Sequence, residues 1–170
     1  MTELLILFML TKKVLTMYGI SKGIKEYFSV LMIPSYGTIK PALTRLEQNG
    51  FLKSQKTISR GGRPSVYYSI TNSGVEELKR LILETPSDNP IHFLPLARIK
   101  IACADVLDIE SQKILLRGLK DKAEGILIDT NNLMKTKDLS YYPKMAYDNL
   151  ACEYKNFISL AEGLEHACAR

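Results

Sequence analysis

The chain has 170 residues, 46% hydrophobic and 24% charged, and its 23 Lys and Arg against 18 Asp and Glu give a net charge of +5. This length suffices for one domain or two small ones with a hydrophobic core, and the composition excludes collagen-like and low-complexity proteins. Three scattered cysteines without a C-x-x-C pair and two distant histidines predict a cytoplasmic protein that is not an enzyme and has no metal or cofactor.

The first part of the chain is predicted to form three helices. Residues 2–12 form an apolar helix whose run of apolar side chains is too short to span a membrane, so no membrane partner is expected. Residues 19–28 form the second helix. The third begins after Ser35, which we expect to be its N-cap, and ends at Gly50 as a left-handed C-cap. Its buried stripe is predicted to consist of Ile39, Ala42, Leu43 and Leu46.

A β-hairpin and a fourth helix follow. Residues 51–58 and 65–71 are predicted strands, and the glycine pair between them permits a tight turn. Ser73 and Glu76 match a capping box at the start of a helix that buries Val75, Leu78 and Ile82. The order helix, helix, helix, hairpin, helix is typical of a winged helix-turn-helix domain.

The proline-bounded segment 85–90 divides the chain into a winged helix-turn-helix domain, 1–84, and a helical dimerisation and effector-response domain, 91–170. A helix introduced by Pro95 is predicted to run to Leu107, and a second starts near Ser111. The last helix has apolar residues at heptad spacing, which is typical of an antiparallel, coiled-coil-like dimer seam. The predicted homodimer interface consists of Tyr147, Leu150, Tyr154, Phe157 and Leu164. The expected fold is thus mainly α with a small β-hairpin wing.

The positive charge is concentrated in the first half. Residues 1–84 carry a net +6 and residues 85–170 a net −1, and a net +5 lies within residues 35–70. Because the second helix of a helix-turn-helix enters the major groove of double-stranded DNA, the polar and basic residues there are candidate DNA contacts. They are Ser35, Tyr36, Gly37, Thr38, Lys40, Thr44, Arg45, Lys53, Lys56, Arg60 and Arg63. Arg60 and Arg63 at the hairpin tip suit a minor groove.

Two sequence motifs resemble a known family. Residues 35–51, S-Y-G-T-I-K-P-A-L-T-R-L-E-Q-N-G-F, and residues 62–71, G-R-P-S-V-Y-Y-S-I-T, are similar to motifs of the PadR-type transcriptional regulators. The resemblance implies a repressor that binds a palindromic operator as a homodimer and responds to a small-molecule effector, and it adds Tyr18 and Tyr67 to the DNA-binding candidates. The chain has no Trp, so an effector pocket built on that residue is not implied.

Some alternatives stay open. The winged domain is also compatible with a protein–protein interaction module that does not bind DNA directly. The tyrosines of the last helix suit an interface better than an effector pocket, and Cys103, Cys152 and Cys168 are expected to be buried as apolar residues rather than to sense oxidants.

Overall fold

The structure is a computed structural model that describes residues 1–58, 64–86 and 89–168. These residues contain seven α-helices and a three-stranded antiparallel sheet. They divide into two compact units, one formed by Met1–Glu84 with Arg98–Cys103 and the other by Thr85–Ala97 with Ala104–Arg170. In the described part of the chain, no helix combines the length and the apolar character needed to cross a membrane.

The first helix, α1 (Thr2–Lys12), lies at the centre of the first unit. Each residue from 4 to 10 is at most 5% exposed. A helix that is apolar on every side needs partners on every side. These partners come from the second, third and fourth helices and from the sheet, so the other elements of the unit assemble around α1.

The second helix, α2 (Met17–Phe28), begins two residues before its predicted start at Gly19. The reason is the side chain of Thr16, whose hydroxyl accepts a hydrogen bond of 3.1 Å from the backbone N–H of Gly19 and so caps the first turn. The buried side chains of α2 are Ile20, Ile24 and Phe28.

The third helix, α3 (Tyr36–Gln48), matches the predicted element closely. Its four predicted core residues are all buried, and Gly50 has the positive φ of +75° expected of the C-cap. Ser35 occupies the N-cap position, but its side chain makes no capping hydrogen bond. The predicted position of the cap is therefore confirmed, whereas the hydrogen bond expected from Ser35 is absent.

The sheet has three strands rather than the two of the predicted hairpin. Strands β2 (Leu52–Ile58) and β3 (Pro64–Ile70) form the hairpin, and β1 (Leu15–Thr16) pairs with the other edge of β3, giving the order β1-β3-β2. A strand of two residues shows no alternation of apolar and polar side chains, so β1 has no sequence signal. The predicted hairpin tip, with Arg60 and Arg63, lies outside the described residues.

The fourth helix, α4 (Asn72–Leu83), is capped by Thr71, whose hydroxyl accepts a 3.0 Å hydrogen bond from the N–H of Gly74. The capping box predicted at Ser73 and Glu76 is therefore wrong, because the helix begins before Ser73. Gly74 lies against the backbone of Phe51 so closely that a Cβ would stand 2.1 Å from its carbonyl oxygen. This contact joins the start of α4 to the start of the hairpin.

Three further helices complete the chain. Helix α5 spans Pro90–Ala102 and contains Pro95 instead of beginning with it, and the predicted extension to Leu107 is wrong because Ala104–Val106 forms a 3-10 turn. Helix α6 (Ile109–Thr136) is capped by the carboxylate of Asp108, and α7 (Tyr141–Ala167) packs along it. In the second unit, ion pairs from Arg117 to Glu165 and from Lys120 to Glu162 join these two helices.

The second unit has an aromatic core. The ring of Phe93 is stacked 6.1 Å from that of Tyr154 and meets Phe157 edge-on at 5.8 Å. The hydroxyl of Tyr154 donates a 3.2 Å hydrogen bond to the carbonyl oxygen of Pro90. Tyr154 and Phe157, two of the predicted interface residues, are only 1% and 2% exposed within a single chain.

The cysteines differ in environment. Cys103 is buried, as expected, and Cys168 is half-buried with its thiol 3.3 Å from the side-chain oxygen of Gln112. Cys152 is exposed, so the expectation that it is buried is wrong. The helical spacing that places residues 151, 154 and 157 toward the core turns residue 152 to solvent.

Candidate nucleic-acid interface

The exposed face of α3 lies on the side of the helix opposite its buried stripe. At 100° per residue, Gly37, Pro41 and Thr44 lie opposite the buried side chains, with Gln48 one turn further along. Thr38 and Arg45 lie on one flank of this face, and Lys40 lies on the other. Sequence reasoning missed Pro41 and Gln48, although their spacing from Gly37 and Thr44 places them on the same face.

The two threonines of this face already use their hydroxyl hydrogens. Thr38 donates to the carbonyl oxygen of Ser35 at 2.8 Å, and Thr44 donates to that of Lys40 at 3.2 Å. Both residues are exposed, and a hydroxyl oxygen that donates can still accept through its lone pairs. In this arrangement they can accept hydrogen bonds from the amino groups of adenine or cytosine, whereas a phosphate, which only accepts, would not be satisfied.

A groove of about 420 Å³ lies between the start of α2, α3 and the sheet. It is lined by Thr16, Met17, Tyr18, Lys40, Ser65, Val66 and Tyr68. Partial burial, and secondarily the charge of Glu47, raise the pKa of Tyr68 above its usual range, so its hydroxyl stays protonated and can donate. The groove therefore combines one ammonium group with several hydroxyl groups.

A second groove, of about 610 Å³, lies between α2 and the start of α3. It is lined by Tyr18, Ser21, Lys22, Lys25, Glu26, Ser29 and Tyr36. Tyr18, 67% exposed, lines both grooves, and Tyr36 is 49% exposed. Sequence reasoning missed Lys22 and Lys25. The signal that could have found them is their spacing of three residues on the polar side of an amphipathic helix.

The predicted DNA-binding residues of the hairpin lie on two opposite faces of the sheet, because successive side chains of a strand alternate between its faces. The hydroxyl of Ser54 donates to the carboxylate of Glu47 on α3, so the even-numbered side chains of β2 face α3. Lys56 is on that face, whereas Lys53 is on the opposite face. Tyr67, paired in register with Gln55, is on the same face as Lys53.

Arg45 is held by an acidic residue. Its Nε and Nη2 atoms each lie 2.8 Å from Oε1 of Glu3 in the first turn of α1. The predicted basic cluster is thus divided, since Lys40 and Lys56 lie on the side where α3 meets the sheet and Arg45 faces α1. Among the residues that the structure describes, no group of His, Cys, Asp or Glu side chains is arranged to hold a metal ion.

Two helices joined by a short turn, the second with an exposed polar face, together with a three-stranded antiparallel sheet, define a winged helix-turn-helix protein. Residues 6–80 match the model of the transcriptional regulator PadR-like family. The chain belongs to this family. No curated protein matches it significantly.

Several solved structures are similar to this chain. A PadR family transcription regulator from Clostridium difficile R20291 is 32% identical over 46% of this chain and 80% of its own, with a TM-score of 0.41. A transcriptional regulator from Clostridium thermocellum is 31% identical over 46% and 75%, with a TM-score of 0.42. Bacillus subtilis PadR in complex with operator DNA is 22% identical over 98% of both chains, with a TM-score of 0.45.

Proposed function

We propose that this chain is a sequence-specific, DNA-binding repressor that acts in the cytoplasm as a homodimer on a palindromic operator. The observation that carries the proposal is the exposed polar face of α3, together with two neighbouring grooves that contain Lys25, Lys40 and Tyr18. Membership of a family of transcriptional regulators supports it.

In this proposal α3 enters the major groove. Its exposed threonines and Gln48 would meet base edges, which carry the sequence information. Lys25, on α2, and Lys40, on one flank of α3, would meet phosphates, which fix the register of the protein on the duplex. The segment 59–63, with Arg60 and Arg63, would extend the contact to the flanking DNA.

The homodimer would be formed by the second domain, 91–170. Tyr154 and Phe157 belong to the core of one chain, so the interface would use the half-buried members of the predicted seam, Tyr147, Leu150 and Leu164. Helices α6 and α7 of this domain also expose the apolar side chains of Ile114, Ile128 and Leu160. Exposed apolar side chains on a pair of helices are commonly covered by a second copy of the chain. Two α3 helices would then lie about 34 Å apart in successive major grooves. We assign an effector response to this domain.

Binding and assembly are tested separately. The protein is used to capture fragments of genomic DNA from the organism that encodes it, and the affinity for an enriched fragment is measured between 50 and 200 mM salt. Because neutralised phosphates release counterions, log K should fall linearly with log salt. If no fragment is enriched and affinity for DNA is negligible, the protein is not a DNA-binding regulator.

The dimer is tested by sedimentation of the Leu150→Asp variant. A charged side chain on the proposed interface should give monomers, whereas a persisting dimer would show that Leu150 is not at the interface. Lys155→Asp, at an exposed position of the same helix, controls for the introduction of an acid.

A further inference from the structure

The ion pair between Glu3 and Arg45 joins the first turn of α1 to the last turn of α3. One carboxylate oxygen, Oε1, accepts from both Nε and Nη2 of the guanidinium, each at 2.8 Å. The side chain of Arg45 is 57% exposed and that of Glu3 is 29% exposed. Glu3 therefore binds the guanidinium group of Arg45, which lies beside the exposed face of α3 and is accessible to solvent.

The position of Arg45 on α3 gives this pair a consequence for DNA binding. Arg45 is next to Thr44 on the flank of the proposed reading face, and arginine is a common phosphate contact in protein–DNA complexes. While the guanidinium is bound to Glu3, however, the pair presents no net charge to a polyanion. A phosphate must then compete with a carboxylate that is already in place.

We infer that Glu3 lowers the affinity of this protein for the DNA backbone by restraining Arg45. The inference rests on the proposed DNA-binding function. Backbone contacts strengthen binding to every sequence by a similar factor, so their restraint lowers the affinity for operator and other DNA alike. Glu3 precedes residues 6–80, which match the family model, whereas Arg45 lies within them.

The test uses the full chain and a 24-base-pair duplex of random sequence, with fluorescence anisotropy at 50, 100 and 200 mM salt. Glu3→Gln should bind at 50 mM salt about threefold to tenfold more tightly than wild type, with a salt slope steeper by about 0.9, as expected for one additional phosphate contact. Glu3→Gln combined with Arg45→Gln keeps the net charge of wild type, and its affinity should stay within about twofold of wild type.

Glu77→Gln is the matched control. Glu77 accepts two hydrogen bonds from Arg80, at 2.8 and 2.9 Å, within α4, so this variant also removes a carboxylate partner of an arginine and raises the net charge by one. Arg80 keeps its 3.8 Å ion pair with Glu84. This variant should change the affinity less than twofold. Circular dichroism checks folding, which should be retained because exposed ion pairs contribute little to stability.

Three results would overturn the inference. An unchanged affinity of Glu3→Gln shows that Arg45 gains no phosphate, and an equal gain in Glu77→Gln shows an effect of net charge alone. Weaker binding of the double variant shows that Arg45 already contacts DNA in the wild type. If the wild type itself shows no salt-dependent DNA binding, the proposed function fails, and the inference fails with it.

Discussion

The Nζ atom of Lys100 lies 3.1 Å from the carbonyl oxygen of Ile82 and also donates to the carbonyl oxygens of Leu81 and Glu84. These carbonyl groups end α4, where the helix itself offers no donors. Lys100 is only 4% exposed, so a buried ammonium group caps the negative end of the helix. Burial lowers the pKa of Lys100 to about 8, with the Glu84 charge opposing this decrease and Arg80 adding to it.

The lowered pKa of the buried Lys100 should make the free energy of unfolding depend on pH. A lysine in the unfolded chain titrates near pH 10.5, so between about pH 8 and 10.5 the folded protein binds fewer protons than the unfolded one, and stability rises with pH. Relative to Lys100→Met, the wild type should gain about 2 kcal/mol in free energy of unfolding from pH 7.5 to pH 10. Urea unfolding of both proteins at the two pH values measures this difference. An unchanged difference would mean that Lys100 titrates normally.

Gly74→Ala should be strongly destabilising. The new Cβ would stand 2.1 Å from the carbonyl oxygen of Phe51, a backbone atom that cannot move without shifting the start of β2. We expect a loss of about 2–4 kcal/mol in free energy of unfolding, measured with urea. Gly125→Ala, in α6, is the control. Nothing lies within 4 Å of its Cβ position, so it should be neutral or stabilising by up to about 1 kcal/mol. Equal effects would contradict the close contact at Gly74.

The two lysines of β2 should differ in their effect on DNA affinity. Lys56 is on the face of the sheet directed to α3, and Lys53 is on the other. Lys56→Ala should weaken binding to the captured operator about fivefold and reduce the salt slope by about one. Lys53→Ala makes the same change of charge and should weaken binding less than twofold. The reverse order would place the outer face of the sheet against DNA.

Phe157→Ala should destabilise the second unit by about 3–5 kcal/mol, because the ring is 2% exposed and packs edge-on against Phe93. Leu160→Ala is the comparison, since Leu160 is 46% exposed on the same helix and should cost less than about 1 kcal/mol in a monomer. Thermal unfolding of both variants distinguishes the two positions. A mild effect of Phe157→Ala would show that its ring is not part of the core.

The periodic spacing of apolar residues predicts a helix and its buried face where that spacing depends only on the helix itself. The stripe from Ile39 to Leu46 was predicted because a helix of 3.6 residues per turn imposes that spacing. The cap of α4 was mispredicted because Ser73 and Glu76 fit a local motif better than Thr71, and only the packing of Gly74 on Phe51 places the start of the helix.

Contacts between distant residues could not be predicted. Glu3 and Arg45 are 42 positions apart, and Lys100 is 18 positions from Ile82. Charge alone placed Arg45 among the phosphate-binding candidates, because a sequence does not show which acid the fold brings to a given base. The heptad spacing of Tyr154 and Phe157 correctly indicated a buried seam, but it does not specify whether the seam packs within one chain or between two.

The burial of α1 on every side also matters during synthesis. The helix leaves the ribosome before the elements that cover it, and the last of these, α4, ends at Leu83. At translation rates of about 5–20 residues per second, roughly 4–14 s pass between the synthesis of the two helices. For that time seven consecutive apolar residues, 4–10, lack their native cover. Until α4 emerges and the domain closes around its first helix, this apolar segment is a site at which the nascent chain can aggregate.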